Sequence, residues 1–256
     1  MELFFREFGQ GYPIIILHGL FGSSDNWLTL GKKFAEYNKV YLVDLRNHGS
    51  SFHDEEFNYK VMAEDILQLY KNQKIDDAIV LGHSMGGKVA MTFAQQNLEK
   101  VSKLIVADIS PAAYPLRHDV IVETLAAVKI EDISTRQEAD LQLQQFIPEV
   151  EIRQFLLKNL TRNKDGNFKW KLNLPIIERD IDNVGEPVST GQVFPKPTLF
   201  IKGGRSKYIL DKDLPLMNKI FPNHQLITMP GAGHWLHAEQ PEAFYSIVKD
   251  FIAKIE

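Results

Sequence analysis

Short apolar runs alternate with amphipathic stretches through the first 108 residues of the chain. Continuous apolar runs of the kind found in strands buried on both faces occur at Pro13–His18, Val40–Leu45, Asp77–Leu81 and Lys103–Asp108. An edge strand is predicted at residues 2–8, and helical patterns cover residues 26–37, 59–72 and 88–96. Ser24 or Asp25 is the predicted N-cap of the first of these helices. This alternation with short connections predicts an α/β fold with a mostly parallel sheet and helices on both faces.

The alternation stops after Asp108 and resumes near residue 198. The interval contains helical patterns at 117–129, 135–147 and 149–160, a capping-box spacing at Ser134 and Gln137, and a hairpin signal around Asp165-Gly166. The chain then returns to strands at Thr198–Lys202 and Gln225–Met229 and to helices near 211–221 and at Pro241–Ile255. The sequence therefore predicts a core of residues 1–110 and 195–256 with a helical cap inserted at 111–194.

A Gly-x-Ser-x-Gly pattern, Gly82-His83-Ser84-Met85-Gly86, joins one predicted strand to the helix that follows it. By itself the pattern also occurs in glycine-rich turns, but this position between strand and helix is typical of a nucleophile elbow. Ser84 must then adopt a positive φ, and positions 82 and 86 must be small because strand and helix pass close together. The turn also places the N–H of Met85 at a helix N-terminus, where it can stabilise developing negative charge.

A serine hydroxyl needs a base to become a nucleophile, and the best candidate is His234. It lies in the glycine-flanked loop after the last predicted strand, on the side of the sheet where the elbow lies. Two positions compete for the carboxylate that orients this base, namely Asp108 and the 206–213 loop, where Ser206 stands in the place of the usual Asp. A lone carboxylate that ends an apolar strand is costly to bury without a partner, which favours Asp108.

The remaining parts of the predicted site come from the turn after the first buried strand and from the cap. In His18-Gly19-Leu20-Phe21-Gly22, the N–H of Leu20 is predicted to be the second oxyanion donor. Phe21 and Trp235 are predicted to bind substrate, His18 to brace its loop, and His83 to serve in packing. The cap is predicted to form one wall of the substrate pocket. The candidate wall residues are Tyr114, Leu116, Phe146, Phe155 and Leu156. Each of them could instead belong to the cap's own core.

Composition excludes several other functions. The net charge is −4 without a basic run, so binding to nucleic acid or to anionic lipid is not expected. The absence of cysteine excludes disulfides, thiolate metal sites and a cysteine nucleophile. Neither a signal peptide nor a membrane-spanning stretch is indicated, so a cytoplasmic location is expected. No metal-ligand cluster stands out, and neither a metal nor an organic cofactor is expected. The chain is expected to be a monomer or a homodimer.

Several motifs together resemble the α/β-hydrolase superfamily and, more narrowly, the YbfF-type bacterial esterases. They are His18-Gly19-Leu20-Phe21-Gly22-Ser23, Arg46-Asn47-His48-Gly49, Gly82 to Lys88, Asp108-Ile109-Ser110-Pro111 and Gly231 to Glu239. The resemblance implies an α/β-hydrolase fold with a small helical cap, hydrolysis of short-chain carboxylic esters and some action on acyl-CoA thioesters. It also places the triad acid after the strand that follows the elbow, which corresponds to Asp108. Arg46 is expected to pair with carboxylates in a structural role.

The expected function is therefore that of a serine carboxylic ester hydrolase acting on a small acyl ester or thioester through an acyl-enzyme. Ser84 is the predicted nucleophile, His234 the base and Asp108 the acid. One alternative is a carbon–carbon bond hydrolase or a lyase that uses the same triad. Another is a hydrolase scaffold that binds a ligand without catalysis.

Overall fold

The sheet that organises the chain is seen in a computed structural model, which describes residues 1–115, 119–188 and 190–253. The strands in this part of the chain are β1 (Phe5–Phe8), β2 (Tyr12–Leu17), β3 (Asn38–Val43), β4 (Ala78–His83), β5 (Val101–Ala107), β6 (Leu160–Arg162), β7 (Phe168–Trp170), β8 (Thr198–Gly203) and β9 (His224–Met229). Seven of them form one sheet in the order β1-β3-β2-β4-β5-β8-β9. β1 lies at the edge and pairs antiparallel with β3, whereas the other neighbours are parallel. The predicted mostly parallel sheet is confirmed.

Helices cover both faces of this sheet. The helices in the described part of the chain are α1 (Leu28–Phe34), α2 (Tyr59–Gln73), α3 (Met85–Gln96), α4 (Asp119–Ala127), α5 (Arg136–Gln144), α6 (Val150–Leu157), α7 (Leu174–Arg179), α8 (Asp182–Gly185), α9 (Leu214–Ile220), α10 (Leu236–Glu239) and α11 (Pro241–Ala253). In β2, Ile14 and Ile16 pack in the core layer with α1 and α11, while Ile15 and Leu17 pack in the layer with α2 and α3. Burial on both faces explains the continuous apolar run of this strand.

Two predicted helix caps are wrong. A 3-10 turn at Ser24–Trp27 precedes α1, and its cap is Ser23, whose N–H donates to Asn26 Oδ1 at 2.8 Å, instead of Ser24 or Asp25. The cap of α5 is Thr135 instead of Ser134, because Thr135 Oγ1 accepts the N–H of Glu138 at 3.2 Å and Glu138 reaches back to the N–H of Ser134 at 2.7 Å. The predicted box pairs Ser134 with the side-chain amide of Gln137. The carboxylate of Glu138 is a stronger hydrogen-bond acceptor than that amide, which favours the cap one residue later.

The segment between β5 and β8 contains the helices α4 to α8 and the β6–β7 hairpin, whose turn at Gly166 has φ 86°. The predicted hairpin is confirmed. Residues 117 and 118 at the start of the first predicted cap helix, and the last residues of the predicted C-terminal helix, lie outside the described residues. The division into a core and a cap with boundaries at 111 and 194 stays a prediction. Within the described ranges, no helix combines the length and apolarity required to cross a membrane.

Two buried basic side chains, Lys88 and Arg46, bind segments that are distant in the chain. Lys88 of α3 donates to the carbonyl oxygen of Ala112 at 2.9 Å and to that of Glu186, so one side chain connects the segment after β5 with the residue that follows α8. Burial lowers the pKa of Lys88 to about 7. Arg46 binds Asp65 through two nitrogens at 2.6 and 2.8 Å, which confirms the predicted pairing with carboxylates.

Candidate active site

The Ser84 turn has the backbone that a nucleophile elbow requires. Ser84 lies between the end of β4 and the start of α3, with φ 52° and ψ −121°. A Cβ added to Gly82 would lie 2.2 Å from the carbonyl oxygen of Gly86, and one added to Gly86 would lie 2.4 Å from that of His18. Strand and helix therefore pass too closely for side chains at 82 and 86, as the sequence predicts.

Three predicted site residues lie in one chain of hydrogen bonds. Ser84 Oγ is 3.0 Å from His234 Nε2, and His234 Nδ1 is 2.8 Å from Asp108 Oδ2. An ionised carboxylate can only accept, so Nδ1 must carry the imidazole proton in the neutral ring. Nε2 is then free to accept the proton of the Ser84 hydroxyl. The arrangement has the geometry of a nucleophile, a base and an orienting acid.

The sequence left two positions open for the acid, Asp108 and the 206–213 loop. In the structure, Asp108 is the carboxylate that faces His234, and Ser206 of the loop contacts Asp108. Asp108 is fully buried after β5, and its Oδ1 accepts the N–H of Gly203 at 2.9 Å. Ser206 donates its hydroxyl to Asp108 Oδ2, the oxygen that also faces His234. Asp213 of the rival loop instead accepts the N–H of Leu210 at 2.9 Å. The sequence indicates Ser206 only as a residue in the place of the usual acid, and it does not indicate the donation to Asp108.

His83 does more than pack. Its Nε2–H donates to the carbonyl oxygen of His234 at 2.8 Å, which holds the backbone of the candidate base. Burial, followed by the proximity of His237 and His234, lowers the pKa of His83 well below its usual value. Burial and His234 likewise lower the pKa of His237 to about 3. Both rings are therefore neutral near pH 7. Tyr208, which the sequence did not single out, stacks on the His234 ring with centroids 4.1 Å apart.

Of the two predicted oxyanion donors, Met85 directly follows Ser84 in the chain, and Leu20 lines the same cavity as Ser84. Met85 is the first residue of α3, so its N–H has no acceptor within the helix. Leu20 lies in the turn closed by the hydrogen bond from Gly22 N–H to Gly19 O at 2.9 Å. His18 supports this turn, since its Nδ1–H donates to Gly19 O at 2.8 Å and its Nε2 accepts the N–H of Leu45 at 3.0 Å. The prediction that His18 braces its loop is confirmed.

A cavity of about 260 Å³ opens over Ser84 and His234. Phe21 and Trp235, the predicted substrate-binding residues, both line it. From the cap, its walls include Ile152, Phe155 and Leu156, all on α6. A wider groove with charged residues at its edge, among them Glu149, Glu151, Lys158 and Arg205, adjoins it on the side of His234.

Three other predicted wall residues of the cap do not line this cavity or cannot be placed. Phe146 is 55% exposed on the outside of the cap, so that prediction is wrong. Tyr114 packs edge-on against Tyr208 at 5.3 Å and is absent from the cavity wall. Leu116 lies outside the described residues. The helical pattern alone did not distinguish the cavity-facing side of the cap from its outer side.

The described residues include no group of three or more histidine, aspartate or glutamate side chains that could hold a metal ion. The chemistry that this arrangement can support is proton transfer between Ser84 and His234 and addition of Ser84 to an electrophilic carbon.

Comparisons with known proteins identify a family and several relatives of this chain. A family described as alpha/beta hydrolase fold matches residues 12–128. The chain is 35% identical over 243 residues to esterase YbfF of Escherichia coli, covering 94% of this chain and 92% of that protein. It is 36% identical over 250 residues to the sn-1-specific diacylglycerol lipase ABHD11 of Xenopus laevis, covering 94% and 80%. The solved structure of a marine microorganism esterase superposes with a TM-score of 0.95 at 45% identity, covering 98% of this chain and 99% of the other.

Proposed function

Because this chain belongs to the α/β-hydrolase family, we propose that it is a serine carboxylic ester hydrolase that works through an acyl-enzyme. The observation that carries the proposal is the chain of hydrogen bonds from Ser84 through His234 to Asp108, with lengths of 3.0 and 2.8 Å. Similarity to proteins named as esterases and as a lipase supports ester hydrolysis over the carbon–carbon and ligand-binding alternatives.

In the acylation step, Ser84 Oγ attacks the carbonyl carbon of the ester while His234 Nε2 takes the hydroxyl proton. Asp108 keeps the other imidazole proton on Nδ1 and stabilises the imidazolium. The N–H groups of Leu20 and Met85 donate to the oxyanion of the tetrahedral intermediate. His234 then gives its proton to the leaving oxygen, so the bond from carbon to that oxygen breaks and an alcohol departs.

In the deacylation step, His234 removes a proton from water, and the resulting nucleophile attacks the acyl carbon. Collapse of the second tetrahedral intermediate releases the carboxylic acid and returns the proton to Ser84. Every step uses side chains and backbone N–H groups of this chain.

The two spaces next to the triad differ in a way that supports a short acyl group. The cavity over Ser84 measures about 260 Å³ and is walled by apolar side chains such as Leu156 and Phe155. The wider groove reaches His234, which protonates the leaving group, and has Lys158 and Arg205 at its edge. We assign the cavity to the acyl chain and the groove to the alcohol or thiol. A large polar leaving group such as the thiol of an acyl-CoA would lie in this groove.

Hydrolysis of p-nitrophenyl esters and acyl-CoA thioesters of increasing chain length tests the proposal. Ser84→Ala should abolish hydrolysis of these substrates. The control Ser246→Ala, at an exposed position of α11, should hydrolyse them at the wild-type rate. Stoichiometric labelling of Ser84 by an organophosphonate would separate an enzyme from a ligand-binding scaffold. Equal rates for Ser84→Ala and wild type would refute the serine mechanism, and rapid thioester turnover would add the thioesterase activity.

A further inference from the structure

A buried amide of the cap binds the turn that carries a proposed oxyanion donor. Asn159 lies between α6 and β6 and is 1% exposed. Its Nδ2 donates a hydrogen bond of 2.7 Å to the carbonyl oxygen of Phe21. The same nitrogen donates to the carbonyl oxygen of Leu156 at 3.1 Å, which the Asn159 N–H also reaches at 3.0 Å. The side chain is therefore fixed to the end of α6 and points into the turn.

The backbone of Phe21 needs such support because it is strained. Its φ is 59°, at the third position of the turn from Gly19 to Gly22. A positive φ at this position is typical of a type II turn, where glycine is the usual residue, and it is unfavourable for a bulky side chain. The N–H of Phe21 donates to His48 Nε2 at 3.3 Å. Phe21 is thus held at its N–H by His48 of the core and at its carbonyl oxygen by Asn159 of the cap.

The strain affects the proposed oxyanion site because Leu20 is the preceding residue of the same turn. Rotation of Phe21 to a negative φ would turn the peptide between Leu20 and Phe21. The turn that aims the Leu20 N–H could not keep its shape after that rotation. Since a displaced donor no longer meets the oxyanion at hydrogen-bond distance, the contacts of Phe21 determine the aim of the Leu20 N–H.

Asn159 has opposing effects on stability, because its Nδ2 satisfies the carbonyl oxygen of Phe21, which an apolar side chain would leave without that hydrogen bond. Its Oδ1 is buried and has no hydrogen-bond partner in the part of the chain that the structure describes. A buried acceptor without a partner is destabilising, and an apolar side chain of similar size would avoid that cost. The hydrogen bond to Phe21 gives the amide a function that such a side chain could not supply.

We infer that Asn159 is a positioning residue that couples the cap to the oxyanion turn, an inference that rests on the proposed function. Helix α6 also carries Phe155 and Leu156 on the cavity wall. One side chain therefore connects the wall that faces the acyl group with the turn that stabilises the transition state. Replacement of Asn159 should weaken stabilisation of the transition state more than it weakens substrate binding.

The test compares Asn159→Leu with Asn173→Leu. Asn173 also ties the cap to the core, through Nδ2 to Asn47 Oδ1 at 3.0 Å, but within the described part of the chain it makes no hydrogen bond to the turn at 19–22. For Asn159→Leu we expect kcat to fall about 10- to 100-fold, because a complete loss of one oxyanion donor costs about 10²–10³-fold. KM should stay within about twofold, since uniform substrate binding is unchanged. Affinity for a trifluoromethyl ketone, which forms an oxyanion adduct with serine, should fall by the factor seen in kcat/KM.

The control variant should keep kcat and affinity for the ketone within about twofold of wild type. Thermal melts monitored by circular dichroism establish that each variant is folded, and Asn159→Ala replaces the leucine variant if that one does not fold. Equal kcat in the Asn159 and Asn173 variants, with Ser84-dependent hydrolysis intact, would overturn this inference and leave the proposed function standing. A raised KM with unchanged kcat would overturn it too. If the wild type shows no Ser84-dependent hydrolysis, both the proposed function and the inference about Asn159 are refuted.

Discussion

Replacement of Asp108 by Asn tests the proposed tautomer of His234. The carboxylate accepts three hydrogen bonds, from Gly203 N–H at 2.9 Å on Oδ1, and from Ser206 and from His234 Nδ1 at 2.8 Å on Oδ2. An amide has only one oxygen. The backbone N–H of Gly203 cannot rotate away, whereas the Ser206 hydroxyl can turn and accept. The amide oxygen of Asp108→Asn will therefore face Gly203, and its nitrogen will face His234.

In that orientation Nδ1 of His234 must accept a hydrogen bond, so the imidazole proton moves to Nε2. Nε2, which lies 3.0 Å from Ser84 Oγ, can then no longer accept the hydroxyl proton. The same exchange in a serine protease triad lowers kcat about 10⁴-fold, which corresponds to about 5.4 kcal/mol of transition-state stabilisation. We expect a loss of this size here with little change in folding, because the substitution preserves shape.

The assay is steady-state hydrolysis of p-nitrophenyl acetate by Asp108→Asn, with Asp213→Asn as the matched control. Asp213 is the buried carboxylate of the rival loop, and the amide keeps an oxygen for the Leu210 N–H. The control should hydrolyse the ester at nearly the wild-type rate. Turnover by Asp108→Asn within about tenfold of wild type would refute the tautomer argument. A large loss in Asp213→Asn alone would move the acid to the 206–213 loop.

Three further predictions concern the support of the acid, the cavity and the buried histidines. Ser206→Ala removes one donor from the Asp108 carboxylate and should lower kcat about tenfold, and a loss as large as that of Asp108→Asn would contradict a purely supporting role. Leu156→Ala enlarges the cavity and should shift the preferred p-nitrophenyl ester to a longer acyl chain, whereas Leu141→Ala, on the exposed side of α5, should leave the preference unchanged. The pKa of His237 is about 3 in the folded protein and about 6.5 when unfolded, so between these values the unfolded state binds more protons and stability falls as pH falls. His237→Phe should remove about 2 kcal/mol of the stability loss between pH 6.5 and 5 in urea unfolding, and an unchanged pH dependence would show that His237 does not titrate in this way.

The elements that the sequence predicted best are those whose signal is local. The apolar run at Ile14 to Leu17 indicates a strand buried on both faces, and the structure has such a strand there. The glycines at 82 and 86 indicate the close passage of strand and helix that the backbone shows. A carboxylate at the end of an apolar strand needs a partner, and the resemblance to the YbfF-type esterases places the acid at the same position; Asp108 lies 2.8 Å from His234. Helix caps were less certain because adjacent residues such as Ser134 and Thr135 offer nearly equivalent hydrogen bonds.

The tertiary structure decided the contacts between residues that are far apart in the chain. The hydroxyl of Ser206 reaches Asp108, the ring of His83 holds the backbone of His234, and the amide of Asn159 binds Phe21. Each contact joins segments that are distant in the chain, and neither partner carries a local pattern that identifies the other. Periodicity reports which side of an element is buried, but it does not report which distant group lies against it. The fold class and the candidate nucleophile could therefore be read from the sequence, whereas the groups that position them required the structure.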